Sequence, residues 1–444
     1  MKQDWRRGVA FISTWLVLGI AAAQKTNEFS VRQAVDYAMQ HSVQVRNALL
    51  DIRIQKQTNK DITSAAYPQI TGSGNFTNYL DIPTSLLPAE ITGGPAGTFF
   101  PVKFGTKYNV NGGIDVSQLL FDGQVFVGLQ ARASSIRFME RQADVTKELI
   151  GVNVQKIYYQ LVVGRQQLNS IDANIGRFEK QLYNTTELYK NGFAERLDVD
   201  KINVQLNNLQ TEKIKIQNQL DAGNAGLKFL LNMPQAETLV LTDSITEADL
   251  KDNVLDTAFN YSDRKEYKQL EEAIKLGQYN IKRYKLSYLP TLSAFANYSK
   301  NAQRTEFDFF KGGTWFTTSL IGLRLNVPIF DGFAKRARID KAKLELEQTR
   351  NNVEQLQASI DNDVATANLN IRSALLTIDN QKRNMQLAEQ VYNTTRLKFE
   401  QGLGSNIEIY NAQAELRIAQ TNYYSALYDA IIAKIDYLKA TGKL

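Results

Sequence analysis

Few residues in this chain could do covalent chemistry. Its 444 residues include one histidine, His41, and no cysteine. That excludes disulfide frameworks, thiolate zinc sites, iron–sulfur clusters, cysteine nucleophiles and centres built from several histidines. No Walker-type or dinucleotide-binding glycine pattern is present, and no nucleophile has a histidine base to activate it. His41 falls in the first short helix and reads as structural. One histidine and five methionines provide little for a metal relay, so neither a metal nor a cofactor is expected and the chain does not read as an enzyme. The Asn-x-Ser/Thr triplets at Asn75, Asn184 and Asn393 are short enough to arise by chance and carry no inference.

Composition gives the chain a different kind of work. It is 43% hydrophobic and 22% charged, enough to bury a large core. Lys2, Arg6 and Arg7, then the apolar run Val9 to Ile20, then Ala21-Ala22-Ala23 before Gln24, match a secretion signal over residues 1–23. The run is short of the ~20 residues a spanning helix needs, and no cysteine follows it to carry a lipid. Without Lys2, Asp4, Arg6 and Arg7 the formal charge falls from +6 to about +4, with the signs interspersed, so nucleic acid is not expected as a partner. No stretch of 18 apolar residues follows the signal, so any membrane crossing would have to be made by strands.

The sequence is written twice. Ala38 to Ser42 aligns with Ala258 to Ser262 at an offset of 220, and Tyr67-Pro68-Gln69-Ile70 with Leu289-Pro290-Thr291-Leu292 at 222. Phe121-Asp122-Gly123 aligns with Phe330-Asp331-Gly332 at 209, and Gly192 with Gly402 at 210. The first copy therefore carries an insertion, around Asp81 to Thr106. The reading is a first repeat over 24–230, a linker over 231–250 and a second repeat over 251–444.

Prolines confine the helices, because a proline inside one costs roughly 3 kcal/mol. All eight lie outside 102–233 and 329–444, and each stretch has room for two long helices. Heptad tracks run through them: Ile136, Ala143, Ile150, Ile157, Gly164, Ile171 and Phe178 in the first, Ile339, Leu346, Val353, Ile360, Ala367 and Ala374 in the second. Such a repeat imposes a left-handed supercoil. Helices over about 124–189 and 333–399 would each reach ~100 Å. Each ends in a glycine turn and returns, over about 196–232 and 406–441. Ala412, Ala419, Ala426, Ala433 and Ala440 form a small-residue track on the last helix.

Four segments alternate with period two: about 68–82, 106–120, 290–300 and 315–329. Ile70, Gly72, Gly74 and Phe76 oppose Thr71, Ser73, Asn75 and Thr77, and Ile321, Leu323 and Leu325 oppose Gly322, Arg324 and Asn326. Their length suits tilted membrane strands of roughly 9 to 11 residues, while alternation alone equally fits a half-buried sheet. Four strands cannot close a barrel in lipid, whereas three copies would supply twelve. The connections Leu80 to Lys107 and Ser299 to Trp315 read as long and irregular. Their Phe99, Phe100, Phe307, Phe309, Phe310 and Trp315 suit either an interfacial girdle or a loop cluster.

The duplicated plan of helix, strand, loop, strand, long helix, glycine turn and returning helix resembles the TolC family of outer-membrane efflux proteins, the outer membrane factors. The paired Phe-Asp-Gly elements at Phe121 and Phe330 share in the likeness, as does Gly402 to Gln413 with its Ile407-Glu408-Ile409-Tyr410-Asn411-Ala412-Gln413. The likeness runs from about Val31 to Leu438. It implies a mixed α and β membrane protein made of a duplicated β-strand and long coiled-coil helix repeat. Three copies would form a 12-stranded transmembrane β-barrel on a periplasmic α-helical barrel, embedded in outer-membrane lipid. The implied function is the exit duct of a tripartite efflux or type I secretion system, and the implied partners are a periplasmic adaptor (membrane fusion protein) and an inner-membrane RND or ABC pump. By matching position, Gly192, Phe193, Ala194 and Glu195, with Gly402, Leu403, Gly404 and Ser405, would be the adaptor-docking tips. Asp198 and Glu408, each six residues past a turn glycine, and Asn411 would form the periplasmic gate. Asn411 stands where the family places an acid, Phe399 where a tyrosine is usual, and Gly404 where an arginine can occur. An exported coiled-coil or adhesin without channel activity would explain the heptads but not the duplicated strands.

Overall fold

The computed structural model describes residues 26–245, 250 and 259–444. The expected signal over 1–23 lies outside the described residues, as do parts of the expected linker and of the start of the second repeat. The chain divides into two compact units. One comprises Met1–Ser42, Ile150–Val254 and Ile371–Ile435, the other Val43–Leu149, Leu255–Asn370 and Asp436–Leu444. The two longest helices, α3 (Gly123–Lys190) and α6 (Ala334–Glu400), contribute residues to both.

The second of these units holds the sheet. Helix α2 (Val43–Ser64) leads to strand β2 (Gln69–Asn78), β5 (Tyr108–Phe121) leads into α3, α5 (Lys265–Leu286) leads to β7 (Thr291–Arg304), and β8 (Phe316–Asn326) precedes α6. The strands form one antiparallel sheet in the order β2-β5-β7-β8. Register makes the alternation of each strand coincide with that of its neighbours, because directly paired residues point to the same side. Ile70 pairs with Val116, Val116 with Ala296 and Ala296 with Ile321, so one face is apolar across all four strands. The rows Thr71, Asp115, Asn297, Leu320 and Ser73, Gly113, Ser299, Thr318 make the other face mainly polar, with Leu320 and Phe295 as apolar exceptions. There Asn297 Nδ2 donates to Asp115 Oδ1 at 2.8 Å. Strand β7 continues to Arg304, past the expected end at 300, and β8 stops at Asn326 because Pro328 removes a ladder donor.

The insertion is more ordered than its proline and glycine content suggested. Instead of an irregular connection, Thr84–Pro88 (β3) and Phe99–Lys103 (β4) pair as an antiparallel two-stranded sheet. Of the loop aromatics, Phe307 and Phe309 pack 5.6 Å apart and both meet Phe76, while Phe99 and Phe310 stay exposed.

The same unit is stapled at the chain's end. Buried Arg264 donates to both carboxylate oxygens of Glu266 and to the Ala440 carbonyl oxygen, and lies 3.7 Å from Asp363. Glu148 on α3 is buried with Oε1 unpartnered. Burial first, then the charge of Glu266, pushes its carboxyl above the usual range.

The other unit pairs β1 (Thr26–Phe29) in parallel with β6 (Thr238–Leu241). The stretch 231–250, expected as linker, thus contributes a strand, too short at four residues for its alternation to stand out in sequence. Fully buried Tyr158 ties both strands, its hydroxyl donating to the Phe29 carbonyl at 2.9 Å and accepting from the Asp243 N–H at 3.2 Å. Helix α1 (Val31–His41) starts on a capping box between Ser30 and Gln33. His41 stacks on Tyr37 at 3.9 Å and bonds the Tyr37 carbonyl. The remaining helices are α4 (Arg196–Leu231) and α7 (Asn406–Ala440). Along α7, Ala412, Ala426, Ala433 and Ala440 of the small-residue track are buried. Among the described residues no helix is long and apolar enough to cross a membrane.

A carboxyl whose folded-state pKa is raised costs stability as pH climbs from the usual glutamate range through the folded value. Glu148→Gln is therefore expected to raise the thermal midpoint at pH 7, with the gain shrinking as pH falls below the usual glutamate range. Melting curves across pH check this, and a pH-independent gain or a loss would contradict it.

Candidate functional site

The two glycine turns are built alike. At the end of α3, Gly192 takes φ +79°, the Phe193 N–H bonds the Leu188 carbonyl at 2.8 Å, and the Gly192 N–H bonds the Tyr189 carbonyl at 3.0 Å. At the end of α6, Gly402 takes φ +75°, with Leu403 to Lys398 at 2.9 Å and Gly402 to Phe399 at 3.0 Å. Both are Schellman closures, and the left-handed residue in each is the glycine that tolerates it. The residue after each glycine commonly packs back on its helix in this motif. Here Phe193 and Leu403 are instead 80% and 78% exposed. Ala194 and Gly404 are half-buried, while Glu195 and Ser405 are exposed and precede the returning helices.

The expected gate residues separate into two groups. Asp198, in the first turn of α4, lies 3.9 Å from Lys201 and shares a small crevice with Asn406, Ile407 and Tyr410 of α7. Glu408 and Asn411 are exposed on α7, three residues apart and so on one side of it. Neither lines the crevice with Asp198. The Glu408 N–H donates to the Ser405 carbonyl at 3.2 Å, so its backbone belongs to the turn, and its exposed carboxylate lies beside Gly404. Phe399 packs at the edge of an apolar cluster of Tyr392, Ile409, Ala412 and Leu416. A phenyl ring suits that contact without the partner a hydroxyl would need.

Seams within and between the hairpins differ in chemistry. The α3–α4 hairpin closes on Phe178, Ile202, Leu206 and Leu209, the α6–α7 hairpin on the cluster around Tyr392. Hydrogen bonds and an ion pair link the first hairpin to α7, beside apolar groups such as Leu161, Leu220 and Tyr424 that line a shared pocket. Thr185 meets Asn406 at 3.4 Å, Gln205 donates to the Tyr410 hydroxyl at 2.8 Å, Arg417 to Glu212 at 3.1 Å and Asn174 to Gln420 at 2.8 Å. Gln181 lies seven residues from Asn174 and Gln413 seven from Gln420 on helices that pair these residues in antiparallel order. Both glutamines are buried and neither amide oxygen nor nitrogen has a partner. The heptad tracks of apolar residues drew attention away from this ladder, although the spacing of Asn174 and Gln181, and of Asn406, Gln413 and Gln420, is its signal in sequence. Among the described residues no group of three or more His, Asp or Glu is placed to hold a metal.

The fold, a four-stranded sheet with long paired helices and duplicated glycine turns, is one shared with solved outer-membrane channel structures. The family model "Outer membrane efflux protein" matches residues 263–443. The chain is 23% identical to the outer membrane efflux protein BepC of Brucella suis biovar 1, over 98% of this chain and 89% of BepC. It is 20% identical to the outer membrane protein TolC of Vibrio cholerae serotype O1, over 76% and 77% of the two chains. The crystal structure of the channel CusC superposes with a TM-score of 0.75 at 18% identity, covering 93% of this chain and 92% of CusC. Over residues 263–443, and at 20–23% identity beyond them, the chain is thus similar to outer-membrane efflux proteins.

Unpaired buried amides cost about 1–3 kcal/mol each. Replacing both by apolar side chains, Gln181→Leu with Gln413→Leu, is expected to raise the thermal midpoint of the helical signal, whereas either single change gains less. Circular dichroism melts check this, and a double variant less stable than the parent would show that the amides hold ordered water instead.

Proposed function

We propose that the protein is a passive exit duct of the outer membrane, conducting substrates of a tripartite efflux or type I secretion system, and that it is not an enzyme. One observation carries the reading. The four-stranded sheet exposes its apolar face, with Ile321 at 86%, Ile70 at 69% and Leu323 at 68%, and its outer strands β2 and β8 are open edges. Those strands run in opposite directions, since three antiparallel pairings separate them. The β8 edge of one copy can therefore accept the β2 edge of the next in antiparallel fashion. Three copies would close a ring of twelve strands with lipid against the apolar face and a polar lumen inside.

On this reading the helices of the homotrimer line a tunnel in the periplasm. The exposed Phe193 and Leu403, with the small residues beside them, are the docking tips for the helical hairpins of a periplasmic adaptor, which couples the duct to an inner-membrane RND or ABC pump. The pump supplies the energy and chooses the substrate. Glu408 and Asn411 form a ring at the tunnel mouth by threefold repetition, and Asp198, in its crevice with Asn406, Ile407 and Tyr410, latches α4 beside α7. The polar seam between hairpins, less costly to rehydrate than an apolar one, is the surface along which α6–α7 parts from α3–α4.

A ring of three carboxylates attracts cations. Glu408→Gln is expected to shift the reversal potential under a salt gradient towards zero in planar bilayers, with conductance retained. An unchanged reversal potential would remove Glu408 from the gate.

A further inference from the structure

In the strand-bearing unit, α2 and the start of α3 enclose a groove of about 820 Å³. Its cations are Lys56, Lys60 and Arg132, its floor includes Leu129 and Ile136, and Tyr67 closes one end. No aspartate or glutamate lines it. The groove is held open by its own hydrogen bonds. Buried Asn59 donates from Nδ2 to the Arg132 carbonyl at 3.0 Å and accepts at Oδ1 from Gln55 and Ser135. Arg132 Nε donates to the Leu129 carbonyl and Nη1 to Thr63 Oγ1, both at 3.0 Å. These bonds fix the guanidinium while leaving most of its donors unused.

The second repeat treats the same region differently. There Lys335, Arg336, Lys341 and Lys343 each lie within 3.9 Å of Asp331, Asp340 or Glu345 on their own chain segment. Lys282, at the offset of Lys60, donates to Gln130 Oε1 at 2.8 Å. Lys56 and Lys60 have no carboxylate three or four residues away on α2 and Asp61, next to Lys60, does not line the groove, so the lining itself is positive.

We infer that this groove binds the headgroup of an anionic phospholipid. The inference rests on reading the sheet as a membrane barrel. Strand β2 starts at Gln69, and Tyr67, 62% exposed, sits two residues before it. That is where an amphipathic ring marks the bilayer interface. Lys60 is one helical turn before the end of α2 at Ser64. Its ammonium and the Arg132 fork suit a phosphate as point charge and planar donor respectively. The apolar floor takes the start of an acyl chain, which a free phosphate would leave empty.

The test uses the full mature chain in neutral detergent, probed by native mass spectrometry with phosphatidylglycerol, phosphatidylcholine or inorganic phosphate. Conductance and oligomer mass are measured on the same preparation. Phosphatidylglycerol is expected to be retained in preference to phosphatidylcholine, and inorganic phosphate not to compete. Each cation contributes about fivefold near an anionic surface, so Lys56→Gln with Lys60→Gln should lower retention about 25-fold, while Lys56→Arg with Lys60→Arg keeps it. Equal retention of the two lipids, displacement by inorganic phosphate, or unchanged retention in the glutamine variant would overturn the inference while a conducting trimer leaves the duct reading standing. A preparation that neither conducts nor assembles would remove the duct reading and this site with it.

Discussion

An unpaired strand edge cannot stay in hydrocarbon, and the rest of the molecule follows from that constraint. Each unsatisfied backbone group there costs several kcal/mol, and this chain has one sheet of four strands whose two outer members are open. The apolar face, continuous through Ile70, Val116, Ala296 and Ile321, leaves Ile70 and Ile321 exposed among the described residues, where a soluble α+β sheet would be covered. Lipid and further copies of the chain are the coverings that satisfy face and edges together. On the proposed reading, cyclic repetition would make every feature of one protomer threefold and turn single exposed carboxylates such as Glu408 into rings.

On the proposed reading, the partition of chemistry between seams within the helical unit would set which helices move together. Apolar heptads close each hairpin, as Phe178 with Leu209 and Tyr392 with Leu416 do. Hydrogen bonds and two buried, unpartnered glutamines lie where one hairpin meets the other. Water replaces polar contacts at little cost, whereas separating apolar surfaces costs about 25 cal/mol per Å². Each hairpin is thus expected to move as a body.

Much of this was legible in sequence because it is periodic. Proline placement and sevenfold tracks locate helices that lose their backbone hydrogen bonds if broken, and the period-two pattern of Leu292, Ala294 and Ala296 assigns faces that the register then joins. What periodicity does not carry was missed. The β3–β4 sheet sits in a stretch rich in Pro and Gly, β6 is four residues long, and the ladder of Asn174, Gln181, Gln413 and Gln420 is a polar pattern inside an apolar one. Position alone grouped Asp198 with Glu408 and Asn411. Helical phase separates them, since Asp198 turns towards Ile407 and Tyr410 while the other two are exposed.

The central claim is that three chains pool four strands each to make a pore. It is tested most directly by single-channel recording from the detergent-extracted mature protein in a planar bilayer, with its oligomer mass determined on the same sample. Discrete conductance steps from a particle of three chains are the predicted result. A monomer, or a trimer that leaves the bilayer silent, would contradict it.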